Sequence, residues 1–175
     1  MGVDAFADVT PRQLRPGIGL RPGGERPDLE DAVVALFDAL YASVVALSRS
    51  GRNVVVDVGH HDDYSKPLGI LHKVAGDLRE LPAFFIGVRC PVEVIIARRD
   101  AGPSGGGGGE RYVTSAPDGM VPDAVHRWER AVHDPGIYDL EVDTSTQTAA
   151  ACAGAVRRRL DAGPPTAFAA LAERR

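Results

Sequence analysis

The segment Asn53-Val54-Val55-Val56-Asp57 places three β-branched residues in a row, with no polar residue between them. Such a run predicts a strand over residues 53–58 that is covered on both faces, as the strands of a parallel sheet are. A second apolar run predicts another strand over Ala83 to Val88, and a third strand is expected over residues 138–142. Because helical patterns alternate with these strands, we expect an α/β protein with a parallel sheet and flanking helices.

The helical patterns are bounded by capping residues and prolines. Between Leu29 and Ser48 the apolar residues recur at helical spacing, with Asp28 as the expected N-cap and Gly51 as the stop signal. Further helices are predicted over residues 67–81, 91–99, 122–133 and 146–162. Residues 10–27 contain four prolines and four glycines and indicate a long irregular loop, of a length that is usually functional.

The composition fits one soluble domain. The length of 175 residues suits a single domain, which we expect to span residues 1–163, followed by a frayed tail over residues 164–175. The formal charge of −4 argues against nucleic-acid binding, which needs clustered Lys and Arg. No apolar run approaches the roughly 18 residues that span a bilayer, and Cys90 and Cys152 lack disulfide or metal-ligand spacing. We therefore expect a cytoplasmic protein without nucleic-acid or membrane partners.

Four segments together carry a resemblance to a known family. In chain order they are Gly2-Val3-Asp4-Ala5-Phe6, Val54-Val55-Val56-Asp57, Val88-Arg89-Cys90 and Tyr138-Asp139-Leu140-Glu141-Val142-Asp143-Thr144-Ser145. The chain resembles the chloramphenicol phosphotransferase family over roughly residues 1–160. The resemblance implies a P-loop kinase-like fold similar to shikimate and nucleotide kinases. It also implies transfer of the γ-phosphoryl group of ATP, with Mg²⁺, to an alcohol of a small molecule.

The resemblance implies that Asp4 is the general base. An alcohol that attacks phosphorus must lose a proton, and a positioned carboxylate typically contributes about 10²–10⁴-fold to such a step. The residues alone leave a second interpretation open, in which Asp4 caps a short helical turn that runs through Phe6 and Asp8.

Asp57 ends an apolar strand, which is where P-loop enzymes place the acid that holds or orients Mg²⁺. Pairing or capping at the strand end is the alternative role. The adjacent residues His60 and His61, together with Phe6, are expected to contact the substrate, since ligands collect at the carboxyl edge of an open α/β sheet. Plain loop capping by the histidines stays open as an alternative.

Arginines flank a run of five glycines, Gly105 to Gly109, in a segment expected to be a mobile lid over residues 101–121. The resemblance implies that Arg98, Arg99 and Arg111 bind the phosphates of ATP, with Arg111 also acting on the transferring phosphoryl group. Guanidinium groups match phosphate oxygens in fork geometry. The alternative for the arginine pair is a solvated helix end.

The sequence contains no Gly-x-x-x-x-Gly-Lys-Ser/Thr segment, so the fold is expected to miss its first, central strand and the phosphate-binding loop. Three interpretations follow. Met1 is an internal methionine of a longer kinase; the chain is a degenerate relative that binds a small molecule without transferring phosphate; or it is an interaction module completed by a strand from a partner. In each case the chain as written is expected to bind ATP poorly and to be inactive or weak.

Overall fold

The computed structural model describes residues 1–101 and 120–174, which form two compact units. The first unit comprises Met1–Ala83 and Thr166–Arg175, and the second comprises Phe84–Pro165. In chain order the elements are α1 (Val3–Val9), α2 (Glu30–Arg49), α3 (Ile70–Leu78), β1 (Ile86–Arg89), α4 (Val92–Asp100), α5 (Asp123–Ala131), β2 (Leu140–Asp143), α6 (Ala149–Asp161) and α7 (Ala167–Glu173). The predicted lid lies outside the described residues apart from its ends.

The core of the first unit forms around α2. The buried side chains of this helix recur three and four residues apart, so they form one apolar stripe; they are Val33, Leu36, Phe37, Leu40, Tyr41 and Val44. The predicted helix over residues 29–48 is confirmed, and Gly51 follows it with a positive φ of 78°. The prediction that Asp28 caps this helix is wrong: Leu29 holds the N-cap position, and the Asp28 carboxylate pairs with the Arg26 guanidinium at 2.6 Å.

The C-terminal residues are a helix, and the prediction of a frayed tail is wrong. Helix α7 buries Ala167, Phe168 and Leu171. It packs on α3, whose apolar face includes Ile70 and Val74. Three apolar side chains within five positions are enough to dock a short helix once a complementary surface exists, although they form too short a pattern to stand out in the sequence.

The segment 53–58 does not form the doubly covered strand that was predicted. Among the described residues it forms one bridge, the parallel pair of Gly2 and Asp57, and Val55 is 84% exposed. A buried strand inside a sheet needs a hydrogen-bonded neighbour on each edge. Within the described part of the chain, residues Met1–Val3 supply the neighbour, with Asp57 N donating to Met1 O at 2.8 Å and Val3 N donating to Asp57 O at 3.2 Å.

The second unit contains a parallel pair of strands, as predicted. Strand β1 pairs with β2 in the register Ile86 with Leu140 through Arg89 with Asp143. Gly87 faces the Tyr138 ring so closely that a Cβ atom there would lie 2.8 Å from a ring carbon. Val88 is 57% exposed, so this sheet is not covered on both faces in the way the apolar run suggested. The coarse expectation of an α/β protein with a small parallel sheet and flanking helices is confirmed.

An ion pair ties α6 to the entrance of β2. The Asp139 side chain is fully buried, and its Oδ1 lies 3.2 Å from Arg159 Nη2. The other oxygen, Oδ2, accepts a hydrogen bond from Phe85 N at 2.9 Å. The Arg159 nitrogens also donate to the backbone oxygens of Asp139, Gly163 and Pro164. Arg159 therefore links α6, the start of β2 and the turn that follows the helix.

In the part of the chain that the structure describes, one helical stretch, Pro27–Arg49, is long and apolar enough to cross a membrane. This stretch contains α2, whose apolar stripe is buried in the core of the first unit. Core helices of soluble proteins pass the same test, so the stretch does not indicate a membrane protein.

Candidate functional site

The predicted base and the predicted metal ligand lie at one edge of the first unit. Gly2 pairs in parallel with Asp57, and the chain then turns directly into α1, which carries Asp4 in its first turn. Because the two paired segments run in the same direction, Asp57 and Asp4 both lie where these segments end. Phe6 follows on the same helix, with its backbone N donating to Gly2 O at 2.9 Å.

Asp4 is not the cap of α1. Gly2 occupies the N-cap position, and Asp4 is the acidic residue of the first turn. The alternative in which Asp4 serves as the capping residue is therefore wrong. A negatively charged side chain in a first turn interacts favourably with the partial positive charge of the helix N-terminus. Its role as a general base stays a prediction.

Asp57 is exposed at the end of its segment, so its carboxylate is accessible to a metal ion. Among residues 1–101 and 120–174, no three His, Cys, Asp or Glu side chains are grouped so that they could hold a metal ion together. Mg²⁺ is usually held by one or two carboxylates together with substrate phosphates and water, and needs no such group. Asp57 therefore fits as a single carboxylate ligand of a Mg-nucleotide, and the metal role stays a prediction.

His60 and His61 lie inside the first unit, each only 4% exposed. A hydrogen bond of 2.9 Å joins His60 Nε2 to the Tyr41 hydroxyl, and the His60 ring packs 5.4 Å from the Phe37 ring. His61 Nε2 lies 2.9 Å from the Leu20 carbonyl oxygen, to which it donates. His60 is thus hydrogen-bonded to α2, and His61 to the segment of residues 10–27. The expected contact of both histidines with a substrate stays a prediction.

Burial lowers the pKa of both histidines. The pKa of His60 falls from 6.5 to about 4, first because burial disfavours the imidazolium and second because His61 lies nearby. Burial also lowers the pKa of His61, while its bond to the Leu20 carbonyl and the charges of Asp63 and Asp62 act in the opposite direction. At neutral pH, His60 is therefore an uncharged core residue.

Acid is expected to destabilise the first unit through His60. The folded protein resists protonation at this ring, whereas the unfolded chain accepts the proton below pH 6.5. Stability is then lost as the pH falls from about 6.5 towards about 4, by about 2 kcal/mol at pH 5 and about 3 kcal/mol at the lower end. Urea unfolding of wild type and His60→Gln across this range measures the effect. The free energy of unfolding is plotted against pH for each protein, and the difference between the two slopes separates the effect of His60 from that of the carboxylates. His72→Asn, at an exposed position, is the matched control. Equal slopes for wild type and His60→Gln would contradict the assignment.

The structure adds a buried carboxylate that sequence reasoning missed. Glu30 opens α2 and is 3% exposed. Its two oxygens accept hydrogen bonds from Ser65 N at 2.7 Å and from Ser65 Oγ at 2.6 Å. These bonds lower the pKa of Glu30, with a smaller contribution from the charge of Lys66. The two partners are 35 positions apart, so no local motif connects them.

In the second unit, Arg98 bridges the ends of the two strands. Its Nη2 donates to Thr144 O at 2.6 Å, and its Nη1 lies 3.6 Å from Cys90 Sγ. Arg99 follows in the last turn of α4, and Arg111 lies outside the described residues. The phosphate-binding roles of these arginines stay predictions. Both arginines of the pair lie in the last turn of α4.

A surface cavity of about 290 Å³ opens at the carboxyl end of β1 and β2, close to the start of α4. It is lined by Arg89, Cys90, Pro91, Val92, Glu93, His126, Glu129, His133 and Asp143. Asp143 Oδ1 accepts bonds from Ser145 N and Oγ, which lower the pKa of this carboxyl. The Asp-Thr-Ser spacing could have signalled this turn, since Asp side chains bond the backbone two residues on.

Comparison with known proteins supplies one match. The model of a family described as chloramphenicol phosphotransferase-like protein matches residues 1–161. Searches of curated proteins and of solved structures each returned no match. The match spans most of the 175 residues and both described units. The chain therefore belongs to the chloramphenicol phosphotransferase-like family.

Proposed function

We propose that this protein transfers the γ-phosphoryl group of ATP to an alcohol of a small molecule. The observation that supports the proposal is the pairing of Gly2 with Asp57, which sets Asp4 and Asp57 at one edge of the first unit. Membership of a phosphotransferase-like family supports the same class of reaction. We place the reaction in the reducing cytoplasm, because Cys90 and Cys152 are free thiols.

The chain's own residues divide the chemistry between them. The alcohol oxygen forms a bond to the γ-phosphorus while the bond from that phosphorus to the bridging oxygen breaks, and ADP leaves. The carboxylate of Asp4 accepts the hydroxyl proton. Asp57 would hold Mg²⁺, which supplies neutralisation of phosphate charge when bound. Arg98, Arg99 and Arg111 would bind phosphate oxygens, and Phe6, His60 and His61 would shape the acceptor side.

A non-catalytic binding module is the second candidate function. It is favoured by the absence of a Gly-x-x-x-x-Gly-Lys-Ser/Thr segment from the sequence. Of the two lysines, Lys73 already pairs with Asp38 in the first unit. The 84% exposure of Val55 also favours a module that accepts a strand from a partner. Such a module binds either a small molecule or a strand of a partner, and no phosphate moves.

Incubation with γ-labelled ATP, Mg²⁺ and a panel of alcohols tests the two candidates together. The panel holds chloramphenicol, sugars and aminocyclitols. We expect slow transfer of label to at least one alcohol, slow because phosphate contacts from a glycine-rich loop and its lysine are missing from the sequence. Fully O-acetylated chloramphenicol, which has no hydroxyl to phosphorylate, is the matched control substrate. Calorimetric binding of an alcohol without label transfer supports the binding module, and neither binding nor transfer overturns both candidates.

A further inference from the structure

Two loops of the first unit are joined by hydrogen bonds close to the buried carboxylate of Glu30. We name residues 10–27 the proline loop and residues 59–67 the histidine loop. His61 Nε2 donates to Leu20 O at 2.9 Å, and Gly23 N donates to Asp63 O at 2.7 Å. Each loop thus contributes backbone groups to the other, at two points along their length.

The closest approach between the loops is at Gly24. A Cβ atom on Gly24 would lie 2.4 Å from Ser65 N, and its φ of 63° is in the left-handed region. No side chain fits there without displacing the backbone of the histidine loop. The two loops therefore pack backbone against backbone at this point.

The Glu30 carboxylate is hydrogen-bonded to Ser65, the residue that Gly24 approaches. It is 3% exposed and lies at the start of α2, three residues beyond the end of the proline loop. Both of its oxygens are taken by Ser65, at 2.6 and 2.7 Å. A buried carboxylate is tolerated only where hydrogen bonds replace its hydration. Moving Ser65 away would leave both oxygens of Glu30 without these bonds, so the position of Ser65 is fixed by the cost of leaving that buried charge unpaired.

The interlocked loops adjoin the predicted catalytic edge. The histidine loop starts two residues after Asp57, whose segment pairs with Gly2 just before Asp4. Any movement of this loop therefore changes the surroundings of the edge where the acceptor alcohol would meet its base. The proposed function assigns the ATP phosphates to Arg98, Arg99 and Arg111, and to no residue of these two loops.

We propose that Glu30 is a positioning residue that, by holding Ser65, fixes the proline loop and the histidine loop as one rigid wall on the acceptor side of the site. This inference rests on the proposed function for its acceptor side, while the rigid coupling of the two loops stands independently. Its consequence is that one hydroxyl group at Ser65 controls the order of both loops. Acceptor affinity then depends on Glu30 without any contact between Glu30 and the acceptor.

Hydrogen exchange of the wild-type chain, Ser65→Ala and Glu30→Gln tests the coupling. We expect both variants to exchange about tenfold or more faster in both loops, since a hydrogen bond to a charged group is lost. Ser65→Thr, which keeps the hydroxyl, should restore slow exchange. Ser43→Ala is the matched control, because that hydroxyl bonds only the Ala39 carbonyl one turn back in α2. Faster exchange confined to the histidine loop, or unchanged exchange in Ser65→Ala, overturns the inference even if Glu30→Gln does not fold.

The acceptor side is tested by steady-state kinetics with the alcohol that wild type phosphorylates. The KM for this alcohol should rise about tenfold in Ser65→Ala, while the KM for ATP stays within about twofold. Equal increases in both KM values would show a general loss of structure and overturn the positioning role. A wild-type protein that phosphorylates no alcohol is a failure of the proposed function. The exchange measurement then still decides whether Glu30 couples the loops.

Discussion

Replacing Asp4 by Asn lowers turnover by about 10²–10⁴-fold and leaves the KM for ATP nearly unchanged, if Asp4 is the general base. Asn keeps the size of the side chain and its place in the first turn of α1. It cannot accept the proton that the alcohol must lose as its oxygen bonds to phosphorus. Initial rates of label transfer for wild type and Asp4→Asn, at saturating ATP and a range of alcohol concentrations, measure the loss.

Asp8→Asn is the matched control for this experiment. Asp8 lies on the same helix one turn further along, and the change removes the same charge. We expect the Asp8→Asn variant to keep turnover within about threefold of wild type. Asp8 lies beyond the first turn of α1, and therefore away from the paired segment that leads into this helix. If Asp4→Asn also keeps normal turnover, Asp4 is a structural acid of α1 and the base lies elsewhere.

Replacing Arg159 by Met destabilises the second unit by about 3–5 kcal/mol, because it leaves the buried Asp139 carboxylate without its cation. Three backbone oxygens lose a donor in the same step, those of Asp139, Gly163 and Pro164. Met keeps an unbranched side chain without the charge, and the guanidinium carbon that it removes lies 4.9 Å from the centroid of the Phe84 ring. Urea unfolding at neutral pH gives the change in free energy of unfolding.

Arg157→Met provides the comparison, since Arg157 lies on the same helix and is exposed. This change removes the same charge from the same basic run, and we expect it to shift the free energy of unfolding by less than about 0.5 kcal/mol. A similar loss in both variants would mean that the net charge of α6 matters, and that the pair of Arg159 with Asp139 does not.

The parts of the fold that the sequence predicts well are those that depend on near neighbours. The spacing of Val33, Leu36 and Leu40 predicts a buried helix face, and the structure confirms it. The three valines at residues 54–56 predict an extended backbone, but whether a strand forms depends on partners distant in sequence. That is why the strand expected over residues 53–58 is reduced, among the described residues, to a single bridge at Asp57.

The candidate site shows the same division. The roles of Asp4 and Asp57 could be predicted from a family resemblance, whereas the pairing of their segments is seen only in the bridge between Gly2 and Asp57. The burial of His60 could not be anticipated, because it depends on Phe37 and Tyr41 from a helix that lies about twenty residues earlier in the chain. The Glu30 carboxylate looks like an ordinary surface acid at a helix start until its contact with Ser65 is seen.

The two units can be followed separately by spectroscopy, because the tryptophan of this chain lies in one of them. Trp128 is the sole tryptophan and lies on α5, so its emission reports on the second unit. The first unit contains Tyr41 and Tyr64 and no tryptophan, and its helices contribute to the circular dichroism. Because different probes of a two-state transition must coincide, a gap between the fluorescence and dichroism melting curves distinguishes separate unfolding of the units from a single cooperative event.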